Sequence, residues 1–126
     1  MIIPDALPDS GFTIPLRASF LVFKTFPLLG VATNTASPRL DLFNDRVELR
    51  IIRRQIRHYA DLEYIDARQT LGTQNIILCW RGRSFAFAAN LGAEEPLVEL
   101  LRFFQRRAIA LTERARSIVA KRATIS

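Results

Sequence analysis

The sequence predicts an α+β fold: a curled antiparallel β-sheet, or partly open barrel, followed by one long C-terminal α-helix. Three observations point there. Between residues 39 and 51, apolar and charged residues alternate at the period of two that a half-buried strand requires. A second hairpin pattern places Ile76, Leu78 and Trp80 on one face, then Arg81-Gly82 as a turn, then Phe85 and Phe87. From Glu94 onward the apolar positions change to steps of four and three, the spacing of a helix face.

The chain has 126 residues, enough for one domain and too few for two. Hydrophobic residues make up 49 % of it, so a core forms without staples. Cys79 is the only cysteine, which excludes an internal disulfide and suits a reducing, cytoplasmic location. Residues 1–11 carry two prolines and two aspartates and no positive n-region. They read as a flexible lead-in and not as a secretory signal. Residues 12–126 then form a single domain.

The most apolar stretch, residues 16–32, is too short to cross a bilayer once Lys24 and Pro27 are counted. A buried strand over about residues 16–26, bounded by Pro15 and Pro27, fits better. Residues 28–38 hold Gly30, Asn34, Ser37 and Pro38 and read as a loop. Leu40 and Leu42 then alternate with Arg39 and Asp41. Val47, Leu49 and Ile51 alternate with Arg46, Glu48 and Arg50. Asn44-Asp45 is the turn between them. In the next segment Ile56, Tyr59, Leu62 and Ile65 recur every three residues, which fits a short helix or a strand that bends near Ala60-Asp61. The flanking strands favour the bent strand. Leu71-Gly72-Thr73 is a further turn, and Asn90-Leu91-Gly92 ends the sheet.

The helix is expected over about residues 93–121. Glu94 and Glu95 suit its positive end, Pro96 fits only near a helix start, and Arg114, Arg116, Lys121 and Arg122 suit the negative end. Leu97, Leu101 and Phe104 should pack on the sheet. Leu111, Ala115, Ile118 and Val119 lie beyond what a small barrel covers, and they are expected to form an oligomer contact.

This order of strands, turn, hairpin and closing helix resembles a pleckstrin-homology-like domain of the bacterial type. Residues 38–52, PRLDLFNDRVELRII, are similar to the family's second and third strands. Tyr59, Ala60, Asp61, Leu62 and Ile65 resemble its tyrosine-containing turn. NIILCWRGRSFAFA resembles the late hairpin, and LVELLRFFQRR resembles the helix that plugs one end. Two departures stand out. Arg57 and His58 replace the aliphatic and proline that often precede the tyrosine. The first strands offer Lys24 and Arg39 but no clustered basic pair, so phosphoinositide recognition does not carry over. The resemblance implies a scaffold that binds peptides, proteins or lipid headgroups without catalysis; fold alone does not choose among them.

The residues themselves offer little catalytic chemistry. His58 is the only histidine, with Asp61 near it in sequence and Ser84 as a conceivable nucleophile, but no nucleophile motif surrounds them. One Cys and one His cannot make a structural zinc site. Cys79 reads as a small core residue. Asp61, Glu63 and Asp66 read as turn chemistry and partners for Arg57 and Arg68. No glycine-rich phosphate loop is present, and no cofactor is expected.

The formal charge is +6, nearly all of it from arginine. Two groups form a candidate anion or partner surface: Arg50, Arg53, Arg54 and Arg57, and Arg102, Arg106 and Arg107 on the helix, followed by Arg114 and Arg116. Aromatics do not interleave with them, so nucleic acid is a poor candidate. The expected function is a non-catalytic interaction module acting through a protein partner or a second copy of itself, with a membrane surface as a further partner. The alternatives are an anion-binding module, for an anionic lipid surface or nucleic acid, or a small enzyme of unknown chemistry.

Overall fold

A computed structural model describes residues 1–25, 30–34, 36–51, 53–70 and 72–125, with side chains omitted at 30–34 and 123–125. Phe26 and Pro27, the expected end of the first long strand, and Leu71, in an expected turn, lie outside the described residues.

Two antiparallel sheets carry the chain. The first has the order β1 (Phe12–Thr13), β4 (Arg39–Leu42), β5 (Arg46–Arg50), β6 (Arg54–His58). The second has the order β3 (Gly30–Asn34), β2 (Ala18–Phe23), β9 (Phe85–Asn90), β8 (Thr73–Trp80), β7 (Leu62–Thr70). The sheets are not closed into a barrel: β6 and β7 are joined by a 3-10 turn at Tyr59–Asp61 but are not paired. The α+β class is as the sequence predicts. The expected loop over residues 28–38 instead holds β3: Gly30 and Asn34 are its two ends, and the run between them pairs with β2.

The alternation sets the core. Leu40, Leu42, Val47, Leu49, Ile76, Leu78, Phe87, Leu97, Leu101 and Phe104 are buried in one cluster. Phe85 is the exception at 42 % exposure. A second, smaller cluster covers the other face of the five-stranded sheet, where Val22, Ile77, Cys79, Ala86 and Ala88 pack with Phe20 and Tyr64. Residues 1–11, expected as a flexible lead-in, form no helix or strand, yet Ile3 and Leu7 are buried in the main core. Ile3 N–H donates to Glu99 (3.1 Å), and the Asn44 amide bonds Leu7 N–H (2.8 Å) and C=O (3.0 Å).

The single C-terminal helix is two. α1 runs Glu94–Arg106 and α2 runs Glu113–Ile125. Ala108 takes a left-handed φ of 59°, Ala108 N–H bonds Gln105 C=O (3.0 Å), and Ile109 N–H bonds Phe104 C=O (3.1 Å). That pair of bonds closes a helix C-terminus in a Schellman turn. Thr112 then starts α2, its Oγ1 accepting from Ala115 N–H at 3.2 Å. Between the helices the chain crosses β7: Ile65 N–H bonds Ala110 C=O (2.9 Å) and Thr112 N–H bonds Ile65 C=O (3.0 Å). Of the residues expected at an oligomer contact, Leu111 and Ala115 are buried within the chain and Ile118 and Val119 are partly so. Leu111 is 5 % and Ala115 0 % exposed, and Ile118 and Val119 pack partly buried against the same cluster. The reversal at Ala108 folds the stripe back onto the sheet.

Candidate functional site

The arginines separate into three environments. On the outer face of the four-stranded sheet, Arg39, Arg50 and Arg54 are opposed in register across β4, β5 and β6. The neighbouring row is Thr13, Asp41, Glu48 and Ile56. Two carboxylates facing each other across a ladder repel, and both are buried here, Asp41 at 6 % and Glu48 at 7 %. Cations offset that: Arg39 binds Asp41 (2.6 Å), and Arg46 (3.0 Å) and Arg54 (2.5 Å) bind Glu48. Thr13 Oγ1 donates to Asp41 as well (2.6 Å). A cleft of about 340 Å³ opens over this face, with Arg50 among its walls. Arg53 is exposed beside it.

The second environment is structural. Arg106 binds Asp5 (2.7 Å) and Ile3 C=O (3.0 Å). Arg107 donates to the Asn44 and Asp5 carbonyls, its guanidinium 5.1 Å from the Tyr59 ring centre and 5.0 Å from that of Phe103. These two arginines, predicted as part of an anion or partner surface, hold the N-terminal segment and the β4–β5 turn against α1. Arg102 is half-buried on α1. Arg114 binds Asp66 (2.6 Å), joining α2 to β7. Burial pushes the Asp66 carboxyl up, but Arg114, Thr112 and the Ala67 N–H outweigh it and hold it below the usual carboxylate range.

Arg57 stands apart from Arg50, Arg53 and Arg54. It lies on the opposite face of β6, in register with Val47, which faces the core. It lines a cleft of about 200 Å³ where the two sheets separate. The apolar walls are Leu21, Leu49, Ile51, Trp80, Phe85, Ala86 and Phe87, with Gln55, Arg83 and Ser84 as further lining groups. Arg57 Nη1 donates to Ile56 C=O (3.1 Å) and Nη2 to Gln55 Oε1 (3.1 Å). Its Nε–H is buried without a protein acceptor, a state that costs stability unless something accepts it. Phe85 stands at the lip of this cleft, 5.3 Å from Phe23 ring to ring. Alternation alone puts Phe85 in the core; at the end of β9, where the sheets separate, it packs instead on Phe23, its registered neighbour on β2. Gly82, at φ 74°, turns β8 into β9 and so brings Arg83 and Ser84 to the same mouth.

The groups with conceivable catalytic chemistry lie on different surfaces. Cys79 is 1 % exposed on the outer face of β8, and burial pushes its thiol up. Tyr64, beside it, is pushed up to about 12 by burial and then by the hydrogen bond to Cys79. His58 is exposed at the end of β6, opposite Arg46, while Ser84 is in the β8–β9 turn. Tyr59 is pushed up to about 12 by burial, and its hydroxyl donates to Phe43 C=O (2.5 Å). Glu63 binds Lys24, not Arg57 or Arg68 as the sequence suggests. Among the described residues no cluster of three or more His, Cys, Asp or Glu is placed to hold a metal ion. Nor is any described helix long and apolar enough to cross a membrane. No family model matches the chain, and no curated protein matches it in sequence.

Proposed function

We propose that the chain is a non-catalytic interaction module on a pleckstrin-homology-like scaffold. It takes an apolar side chain of a protein partner into the cleft between its two sheets. The observation that carries this reading is Phe85, a core-patterned aromatic left 42 % exposed at the rim of an apolar cleft. At about 200 Å³ the cleft is smaller than the ~300–1,000 Å³ typical of small-molecule sites. One bulky side chain fills it. His58 is exposed at the end of β6, Cys79 is buried and Ser84 is in the β8–β9 turn, a separation that supports binding over catalysis.

Trp80 lines the cleft and is the only tryptophan, so its fluorescence reports occupancy directly. Short blocked peptides with a central Phe, Leu or Ile should shift Trp80 emission saturably, and the same peptides with Ala should not. Phe85→Glu should abolish the response. A response confined to another face in an isotope-labelled spectrum, or none at millimolar peptide, overturns the reading.

A second reading, an anion-binding surface, is favoured by the Arg39–Arg50–Arg54 row. Like charges directly opposite one another repel, and a bound anion relieves this. Vesicles with and without anionic lipid test it: Arg50→Gln should weaken any retention on the anionic ones, and equal retention on both types overturns it.

A further inference from the structure

Resting on that reading of the cleft, we infer that the partner group is an apolar side chain with a carboxylate immediately beside it, the carboxylate held by Arg57 and Arg83. Three observations converge. Arg57 Nε–H is buried and has no protein acceptor. Each Nη of Arg57 gives one hydrogen to a local acceptor, so Nε–H and the second Nη hydrogens are left for a ligand that draws the side chain into the cleft. Arg83 is exposed at the mouth of the same cleft, and none of the described residues lining it is a carboxylate that would compete for either cation.

The chemistry selects a carboxylate. A side-on carboxylate accepts from Nε–H and one Nη–H together, a planar two-bond contact that a single hydroxyl cannot make. Seven apolar lining residues against two cations then call for a ligand with one charged end and one apolar body. The cleft over the four-stranded sheet differs in this respect: Asp41 and Glu48 pair with two of its three arginines, Arg39 and Arg54. A beside-the-anchor carboxylate has two sources, a partner's C-terminus or an Asp or Glu side chain next to the anchor.

Three N-acetylated dipeptides separate these, read by Trp80 fluorescence and by backbone amide shifts. The first is alanyl-phenylalanine with a free carboxylate, the second its amide, and the third aspartyl-phenylalanine amide. A carboxylate on Arg57 should give about a tenfold advantage over the second peptide. The first peptide shows it if the source is a C-terminus, the third if it is a side chain. Arg57→Gln should erase the advantage while keeping the weaker apolar binding. Arg83→Gln, at an exposed site that cannot disturb the core, should reduce the advantage in part. If all three peptides bind alike, or if the advantage survives in Arg57→Gln, the carboxylate inference is wrong while the apolar cleft stands. If none reaches Trp80, both fall.

Discussion

Ala108 and Thr112 decide where the C-terminal third of the chain turns back. A left-handed φ costs a residue with a Cβ about 1–2 kcal/mol, and Ala108 holds 59° because two backbone bonds and the Ile65 ladder fix it. Glycine has no such cost but loses more freedom on folding. Ala108→Gly is therefore expected to stabilise by about 0.5–1 kcal/mol, raising the midpoint of thermal unfolding by ~2–5 °C. A lowered midpoint would show that the turn is not as described. Thr112→Ala should act the other way, costing about 1 kcal/mol by removing the acceptor for Ala115 N–H. The same two residues explain why the sequence reads as one helix. Glycine is the usual mark of a helix end, and alanine in its place leaves the pattern of fours and threes unbroken. Thr112 followed by Glu113 is a start signal in its own right, the one clue available without coordinates.

Elements with one covered face were the legible ones. The β4–β5 and β8–β9 hairpins follow from alternation and turn residues alone, whereas residues 56–65, spaced by three, form β6 and β7 joined by a 3-10 turn. The site was less legible, because face and exposure depend on what stands opposite. Arg57 looks like one more member of a basic run, yet the strand period sends it to the face opposite Arg50 and Arg54. Arg106 and Arg107 look free because their partners, Asp5 and Asn44, are far away in sequence. Asp66 is likewise claimed from a distance, by Arg114 of α2. Its folded pKa is depressed, so its contribution is complete above the unfolded aspartate value near ~3.9 and is lost as pH falls through the lower folded value. Arg114 is 48 % exposed, so solvent weakens the pair. The effect should show as faster amide exchange in α2 at low pH, ahead of global unfolding. Asp66→Asn should remove most of that pH dependence and cost about 1–3 kcal/mol at neutral pH. Equal acid sensitivity in the variant would assign it to other groups.

At the scale of the molecule, the main core draws on the N-terminal segment, both sheets and both helices: Ile3, Leu42, Phe87, Phe104, Leu111 and Ala115 belong to one cluster. A stripe at residues 111–119 that reads as spare in a one-helix chain becomes part of that cluster once α2 folds back. This changes what a mutation there should do. If the stripe were an interface between copies, Leu111→Glu would lower the assembly mass and leave the fold intact. With Leu111 5 % exposed beside Ile65, the same change places a carboxylate among apolar side chains of the core. Milder truncation, Leu111→Ala, should cost about 2–4 kcal/mol from lost burial and the cavity left behind. Ile118→Ala, at a half-buried position, should cost less. Because one cluster joins all parts, far-ultraviolet circular dichroism and Trp80 fluorescence should report the same midpoint in Leu111→Ala, shifted down together. An early loss of helical signal with Trp80 emission unchanged would instead make α2 a separately melting appendage. An unshifted midpoint would mean that Leu111 is not in the core at all.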